Sequence, residues 1–142
     1  IVAAEEAKFG LVFVKMGIVP ELASSHFLVS RMGWGQASEM MLTGRLYPAA
    51  EAHAKGLCEY VVPQAELLPK AFELANLIAE NPSRQLRMTK ALLTQNACTT
   101  DLNRAQKLET DALQECWTTP EHHEAIDAFL NKRKPDFKKV SA

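Results

Sequence analysis

Apolar residues recur at every third or fourth position through the second half of the sequence, beyond Pro63. This spacing places them on one face of a helix and predicts four consecutive helices, over residues 67–78, 82–96, 100–116 and 120–134. Thr99 or Thr100 is the expected N-cap of the third helix, and Thr119 followed by Pro120 opens the fourth. A chain whose second half is wholly helical can build a sheet only from its first half.

Short apolar runs bounded by Gly and Pro indicate that the first half contains the strands. We predict strands over residues 1–4, 9–14 and 58–62, because such runs are typical of buried strands. Helical spacing between them predicts helices over residues 25–33, 35–43 and 48–56, the first capped by Ser24 or Ser25 and the second stopped by Gly44. The predicted fold class is α/β, with a small strand-containing front and a long helical tail.

Size and charge exclude several classes of protein. The chain has 142 residues with 16 Lys and Arg against 17 Asp and Glu, a net charge of −1, whereas a generic nucleic-acid binder carries a large basic excess. No apolar run reaches the roughly 20 residues that span a bilayer, so neither nucleic acid nor membrane is an expected partner. Cys58, Cys98 and Cys116 form no closely spaced pair, which indicates a reducing compartment and a cytoplasmic location.

The common motifs for phosphate loops, metal sites and serine nucleophiles are absent. The sequence contains neither GxGxxG nor GxxxxGK[ST]. Ser24 and Ser25 are not in a GxSxG motif, which favours a capping role for them. The histidines lack the spacing of zinc ligands, so we expect no metal site at His26, His53, His122 or His123.

Glu21 is the candidate for acid–base chemistry that the residues themselves suggest. It is the only carboxylate between Lys8 and Gln36, and it follows Pro20 in a predicted turn between an apolar run and a helix. A carboxylate held against apolar walls can serve as a general base, because its charged form is disfavoured there. A solvated acidic residue before a helix N-terminus fits the same pattern, and the residues alone leave both interpretations open.

Segments along the whole chain resemble, in order and spacing, the enoyl-CoA hydratase/isomerase (crotonase) superfamily. They are residues 9–25 (FGLVFVKMGIVPELASS), 40–45 (MMLTGR), 49–57 (AAEAHAKGL), 58–62 (CEYVV) and 128–137 (AFLNKRKPDF). The resemblance covers only about the C-terminal half of such an enzyme. The chain also opens on Ile1, in an apolar run with no positively charged lead-in, so we expect a piece of a longer protein and not a signal peptide.

The resemblance implies an arrangement and a set of partners. Residues 1–80 would form the C-terminal portion of a crotonase-type β/α spiral core, and residues 81–142 a helical tail for trimerisation and contact with coenzyme A. The family binds acyl-CoA thioesters and stabilises an enolate-like oxyanion with two backbone N–H groups. Both donors would lie in the missing half, so the chain alone is expected to be inactive. The implied partners are acyl-CoA and further copies of the chain, as trimers or dimers of trimers, with no cofactor beyond the substrate's coenzyme A.

The resemblance also assigns roles to two residues of the front. Glu21 matches the single catalytic acid/base of Δ3,Δ2-enoyl-CoA isomerase-like members, which lies in a Pro-Glu turn and carries a proton from C2 to C4. Phe13 stands where family hydratases have one of two glutamates, so it is assigned to substrate binding. The pattern favours isomerisation, in fatty-acid or related acyl-CoA degradation, with hydration as the second enzyme interpretation. Leu22 and Ala23 depart from the small Gly-rich residues common after that glutamate.

Two residues of the tail match coenzyme A contacts of similar hydratases, whose last helix reaches a neighbouring subunit. Phe129 matches an aromatic residue that packs near the adenine, and Lys132 a lysine that meets phosphate. The residues themselves also fit Phe129 as helix core and Lys132 as a surface cation in the last helical turn, where positive charge favours the helix dipole. From a different functional class, the alternative is a non-catalytic crotonase-like protein that serves as an oligomeric binding or scaffold protein.

Overall fold

The computed structural model describes residues 1–140, which fall into two compact units that divide between Glu73 and Leu74. The first unit holds the strands β1 (Val2–Ala4), β2 (Lys8–Gly10), β3 (Leu46–Pro48) and β4 (Tyr60–Val62) and the helices α1 (Ser24–Thr43) and α2 (Ala49–Ala54). Then follow the helices α3 (Leu67–Ala79), α4 (Ser83–Asn96), α5 (Leu102–Trp117), α6 (Pro120–Leu130) and α7 (Phe137–Val140). The units divide inside α3. The functional boundary expected after residue 80 stays a prediction.

The strands of the first unit form two small sheets. β1 pairs in parallel with β4, so that Ala3 lies opposite Val61, and β2 pairs antiparallel with β3, so that Phe9 lies opposite Tyr47. The predicted strands at residues 1–4 and 58–62 are confirmed, although each is shorter than the apolar run that predicted it. The α/β class is confirmed as well.

The strand predicted over residues 9–14 is wrong beyond Gly10. β3 pairs with only three residues of β2, and the chain then turns into a 3₁₀ helix, Val12–Met16. Gly17 ends this helix with a φ of 72°, and the N–H of Ile18 donates to the carbonyl of Phe13 at 3.1 Å. An unbroken apolar run has no period that separates strand from helix, so the pattern does not predict this 3₁₀ helix.

The predicted helices over residues 25–33 and 35–43 are the two parts of α1. Gly33, with φ 76° and ψ 164°, breaks the helical geometry between them, and Gly44 stops the second part with a φ of 55°, as predicted. The predicted serine caps are wrong. Ala23 occupies the N-cap position, and Ser24 is already helical with a buried Oγ that has no hydrogen-bond partner within residues 1–140.

The four helices predicted beyond Pro63 are confirmed as α3 to α6, with corrections at two ends. Asp101 caps α5 in place of Thr99 or Thr100, since its carboxylate accepts the N–H of Arg104 at 3.1 Å. α6 ends at Leu130, so the cations at 132–134 follow the helix and do not lie in its last turn. Within residues 1–140, no helix is both long enough and apolar enough to cross a membrane.

Charged side chains surround the buried ring of Tyr47 and connect the end of α1 to β3 and α2. The guanidinium of Arg45 lies 3.7 Å from the ring centroid and donates to Glu51 Oε2 at 3.0 Å. Lys55 Nζ donates to Glu39 Oε2 at 2.8 Å, and the Tyr47 hydroxyl donates to Glu39 Oε1 at 3.3 Å. The network fixes β3, and therefore β2 and the start of the 3₁₀ helix that carries Phe13.

This network predicts a loss of stability in acid. Hydrogen bonds from Lys55 and Arg45 lower the pKa of Glu39 below 4.5, and Arg45 does the same for Glu51. A folded-state pKa below the unfolded one gives stability that is present above 4.5 and lost as pH falls through the folded values. Urea unfolding of the whole protein should show this loss, reduced when Glu39 and Glu51 are both changed to Gln. Glu66→Gln is the control. If the unfolding free energy of the double variant fell with decreasing pH as steeply as that of this control, the role of the network would be contradicted.

Candidate functional site

Glu21 lies in the loop between the 3₁₀ helix and α1. Its side chain is exposed, and its backbone carbonyl accepts the N–H of Ser24 at 3.0 Å. Residues 1–140 do not enclose Glu21 in the apolar surroundings that we expected. Large exposed apolar side chains do precede and follow it along the chain. These exposed residues are Val14, Met16, Ile18, Val19, Leu22 and Phe27.

The two residues after Glu21 adopt a backbone conformation that normally requires glycine. Leu22 has a φ of 53° and Ala23 a φ of 56°, both in the left-handed region. A residue with a Cβ loses about 1–2 kcal/mol there relative to the right-handed region. The chain therefore keeps a glycine-like turn without the Gly-rich residues that the resemblance led us to expect, and Leu22 is left 86% exposed beside the carboxylate.

Phe13 is half-buried in the 3₁₀ helix, which packs against α1. Phe13 and Glu21 thus belong to the same connection between β2 and α1, within the first unit. An aromatic side chain cannot accept or donate the protons that hydration of a double bond requires. Of the two positions, only Glu21 can perform acid–base chemistry.

Phe129 and Lys132 lie in the second unit, at the end of α6 and just beyond it. Phe129 is 84% exposed, which rules out the helix-core interpretation within the described chain. Lys132 is exposed and follows the C-cap residue Asn131, so its interpretation as a cation of the last helical turn is wrong as well. Both side chains are available to a ligand or to another chain.

The turn after α6 has the hydrogen bonds of a Schellman motif. The N–H of Lys132 donates to the carbonyl of Phe129 at 3.2 Å, and the N–H of Arg133 donates to that of Ala128 at 3.0 Å. Lys132 has a φ of 51° and occupies the position that such motifs usually fill with glycine.

Sequence reasoning missed the residues that hold this turn. Glu124 accepts Arg133 Nη1 and Nη2 at 2.6 and 2.8 Å, and also the backbone N–H of Asp136 at 2.7 Å. Arg133, followed by the N–H of Asp136, lowers the pKa of Glu124 to about 2. Nine positions separate Glu124 from Arg133, which is no helical spacing, so pattern analysis offered no signal for the pair.

Among residues 1–140, no three His, Cys, Asp or Glu side chains converge in a way that could hold a metal ion. The candidate residues are therefore one carboxylate, Glu21, directly before a strained turn, and an exposed aromatic and cation, Phe129 and Lys132, at a second strained turn.

Comparisons with known proteins identify the family and the fold of the chain. The sequence profile of the enoyl-CoA hydratase/isomerase family matches residues 1–140. Crotonyl-CoA hydratase of Syntrophomonas wolfei is 35% identical over 136 residues, which are 96% of this chain and 52% of that protein. Short-chain-enoyl-CoA hydratase of Clostridium acetobutylicum is 32% identical over 134 residues, 94% of this chain and 51% of that protein.

The solved structures show the same fold. The crystal structure of enoyl-CoA hydratase from Bacillus anthracis superposes with a TM-score of 0.91 at 34% sequence identity, over 96% of this chain and 53% of that one. The fold is thus part of the α/β crotonase architecture. The chain belongs to the enoyl-CoA hydratase/isomerase family. It spans about half the length of the curated relatives it matches.

Proposed function

We propose that the protein carrying this chain shifts the double bond of an enoyl-CoA thioester, with Glu21 as the catalytic acid and base. The observation that carries the proposal is a single carboxylate among exposed apolar side chains, with Phe13 at the other candidate position. One carboxylate is sufficient for isomerisation, whereas hydration also needs a group that activates water. The pathway we propose is degradation of fatty acids or related acyl groups.

The proposed reaction moves one proton and one double bond. Glu21 removes a proton from C2 of a 3-enoyl-CoA, and the electron pair moves into conjugation with the thioester carbonyl. The oxyanion that develops is stabilised by two backbone N–H groups. We expect these from residues outside this chain, and therefore no activity from the 142 residues alone. Glu21 then returns the proton at C4, which leaves a 2-enoyl-CoA and the carboxylate as it started.

Hydration is the second candidate, favoured by the names of the relatives reported above. Supplying the whole protein with 3-enoyl-CoA and 2-enoyl-CoA thioesters in parallel separates the candidates, since only a hydratase adds water to the second. A non-catalytic scaffold protein would turn over neither, while still binding coenzyme A esters.

Phe13→Glu tests the interpretation of position 13. We expect this substitution to raise hydration relative to isomerisation in the whole protein if the other glutamate of the family hydratases is present outside this chain, because position 13 matches one of the two glutamates that those hydratases use. Both products are quantified from short and medium enoyl-CoA substrates, with Phe13→Gln as a control of similar size and no charge. An unchanged product ratio would count against the match between Phe13 and the hydratase glutamate.

We further propose that Phe129 and Lys132 contact the coenzyme A moiety, Phe129 near the adenine and Lys132 at a phosphate. Their exposure in the second unit supports this proposal. Trimers or dimers of trimers are the proposed assembly, in the cytoplasm. The exposed apolar side chains of α4 to α6 support association with further protein surface; they include Leu93, Leu113, Trp117, Ile126 and Leu130.

A further inference from the structure

We propose that Glu124 and Arg133 are positioning residues for Lys132, and that they hold the turn after α6 in the conformation from which Lys132 binds a phosphate of acyl-CoA. This inference rests on the coenzyme A contact of the proposed function. Glu124 and Arg133 would act on that contact through Lys132, without touching the ligand themselves.

Among the residues that the structure describes, Lys132 is the cation of its turn that has no ion pair. Of three consecutive cations, Arg133 pairs with Glu124, and Lys134 Nζ lies 3.0 Å from Glu80 Oε2. Lys132 makes no ion pair with any of residues 1–140, and it is exposed. An unpaired ammonium that directly precedes two paired cations is available to an anion from outside the unit, and a phosphate is such an anion.

The conformation that presents Lys132 needs support. Its φ of 51° is disfavoured for any residue with a Cβ, and residues 131–134 are all exposed, so apolar packing cannot hold the turn. Helix ends without such support fray, and a frayed turn would spread the lysine over many positions. A mobile lysine would bind the phosphate less tightly, because the turn would have to become ordered on binding, which costs free energy.

Glu124 supplies that support from the body of α6. Its side chain is only 12% exposed, and its two oxygens accept the Arg133 fork on one side of the turn and the Asp136 N–H on the other. Arg133 also bonds to Asp127, and its backbone N–H is tied to Ala128. The chain after Lys132 is thus attached to α6 at two points, Arg133 and Asp136.

The decisive measurement is steady-state kinetics of the whole protein with Glu124→Gln, which keeps the shape of the side chain and removes its charge. We expect KM for the acyl-CoA substrate to rise severalfold, up to the about tenfold expected for loss of a charge-assisted contact, with kcat unchanged. Arg133→Lys retains the charge but cannot donate two parallel hydrogen bonds to Glu124, so it should also raise KM. This variant replaces Glu124→Gln in the test if Glu124→Gln does not fold. Asp111→Asn, which removes an exposed ion pair with Lys107 on α5, is the matched control and should leave KM unchanged.

A double-mutant cycle separates positioning from general stability. If Glu124 acts through Lys132, Glu124→Gln adds nothing to KM once Lys132→Ala is present. A pantetheine thioester of the same acyl group, which carries no phosphate, should be turned over equally well with and without Glu124→Gln. Additive effects on KM, or an equal loss with the pantetheine thioester, would overturn the inference.

The same variants distinguish failure of the inference from failure of the proposed function. If Lys132→Ala itself leaves KM for acyl-CoA unchanged, the coenzyme A contact is absent and the inference falls with it. If Lys132→Ala raises KM and neither Glu124→Gln nor Arg133→Lys does, the contact stands and only the positioning role is refuted.

Discussion

Glu21→Gln is expected to abolish double-bond isomerisation in the whole protein while leaving acyl-CoA binding nearly intact. Glutamine keeps the shape of the side chain but cannot accept the proton from C2. The loss should therefore appear in kcat, by at least the roughly 10²–10⁴-fold usually credited to general acid–base catalysis. No other carboxylate lies between Lys8 and Gln36, so no neighbour in that segment can replace it.

The measurement is kcat for conversion of a 3-enoyl-CoA to the 2-enoyl-CoA, with the dissociation constant of a non-reactive acyl-CoA determined in parallel. Glu66→Gln, an exposed carboxylate elsewhere in the first unit, is the matched control and should keep the rate. If Glu21→Gln retained more than about a tenth of the isomerase rate, Glu21 would be a turn residue without a catalytic role. Unchanged thermal unfolding of the variant would show that the left-handed turn after residue 21 is intact.

The helices follow from apolar periodicity, because each has one apolar face, and the parallel pair of strands follows from short apolar runs bounded by Gly and Pro. The 3₁₀ helix that carries Phe13 could not be predicted, since its apolar run fits strand and helix equally. Ser24 shows a second limit: serine is a good cap on average, but the left-handed backbone at Ala23 moves the helix start by one residue. The preference of serine for the N-cap position is overridden here, because the preceding turn determines where the helix begins.

The candidate site was predictable only as far as residue types match a pattern. Glu21 and Lys132 were identified from such matches, whereas the exposure of Phe129 and the ion pair of Glu124 with Arg133 depend on tertiary contacts. Positive φ angles at residues other than glycine carry no sequence signal, because the local residues prefer other conformations. These features are visible only in the folded chain.

Among residues 1–140, positive φ angles occur at three residues other than glycine: Leu22, Ala23 and Lys132. All three lie at, or within two residues of, a residue to which we assign a function: Leu22 and Ala23 follow Glu21, and the third is Lys132 itself. Strained backbone persists where the surrounding structure enforces it, and it concentrates at functional sites. The turn after the proposed base and the turn that carries the proposed phosphate contact therefore share one feature, a left-handed backbone at residues other than glycine.

Lys132→Gly should therefore change stability and binding in opposite directions. Glycine relieves the left-handed backbone but is more flexible in the unfolded chain, so the net gain in unfolding free energy should be up to about 1 kcal/mol. Loss of the ammonium should raise KM for acyl-CoA about tenfold with little change in kcat. Lys132→Ala is the matched comparison, because it removes the same charge and keeps the Cβ, and it should raise KM equally without the gain in stability. Thermal unfolding and kinetics of both variants at low salt provide the test. A glycine variant that is stabilised at unchanged KM would show that the strain at residue 132 has no connection with ligand binding.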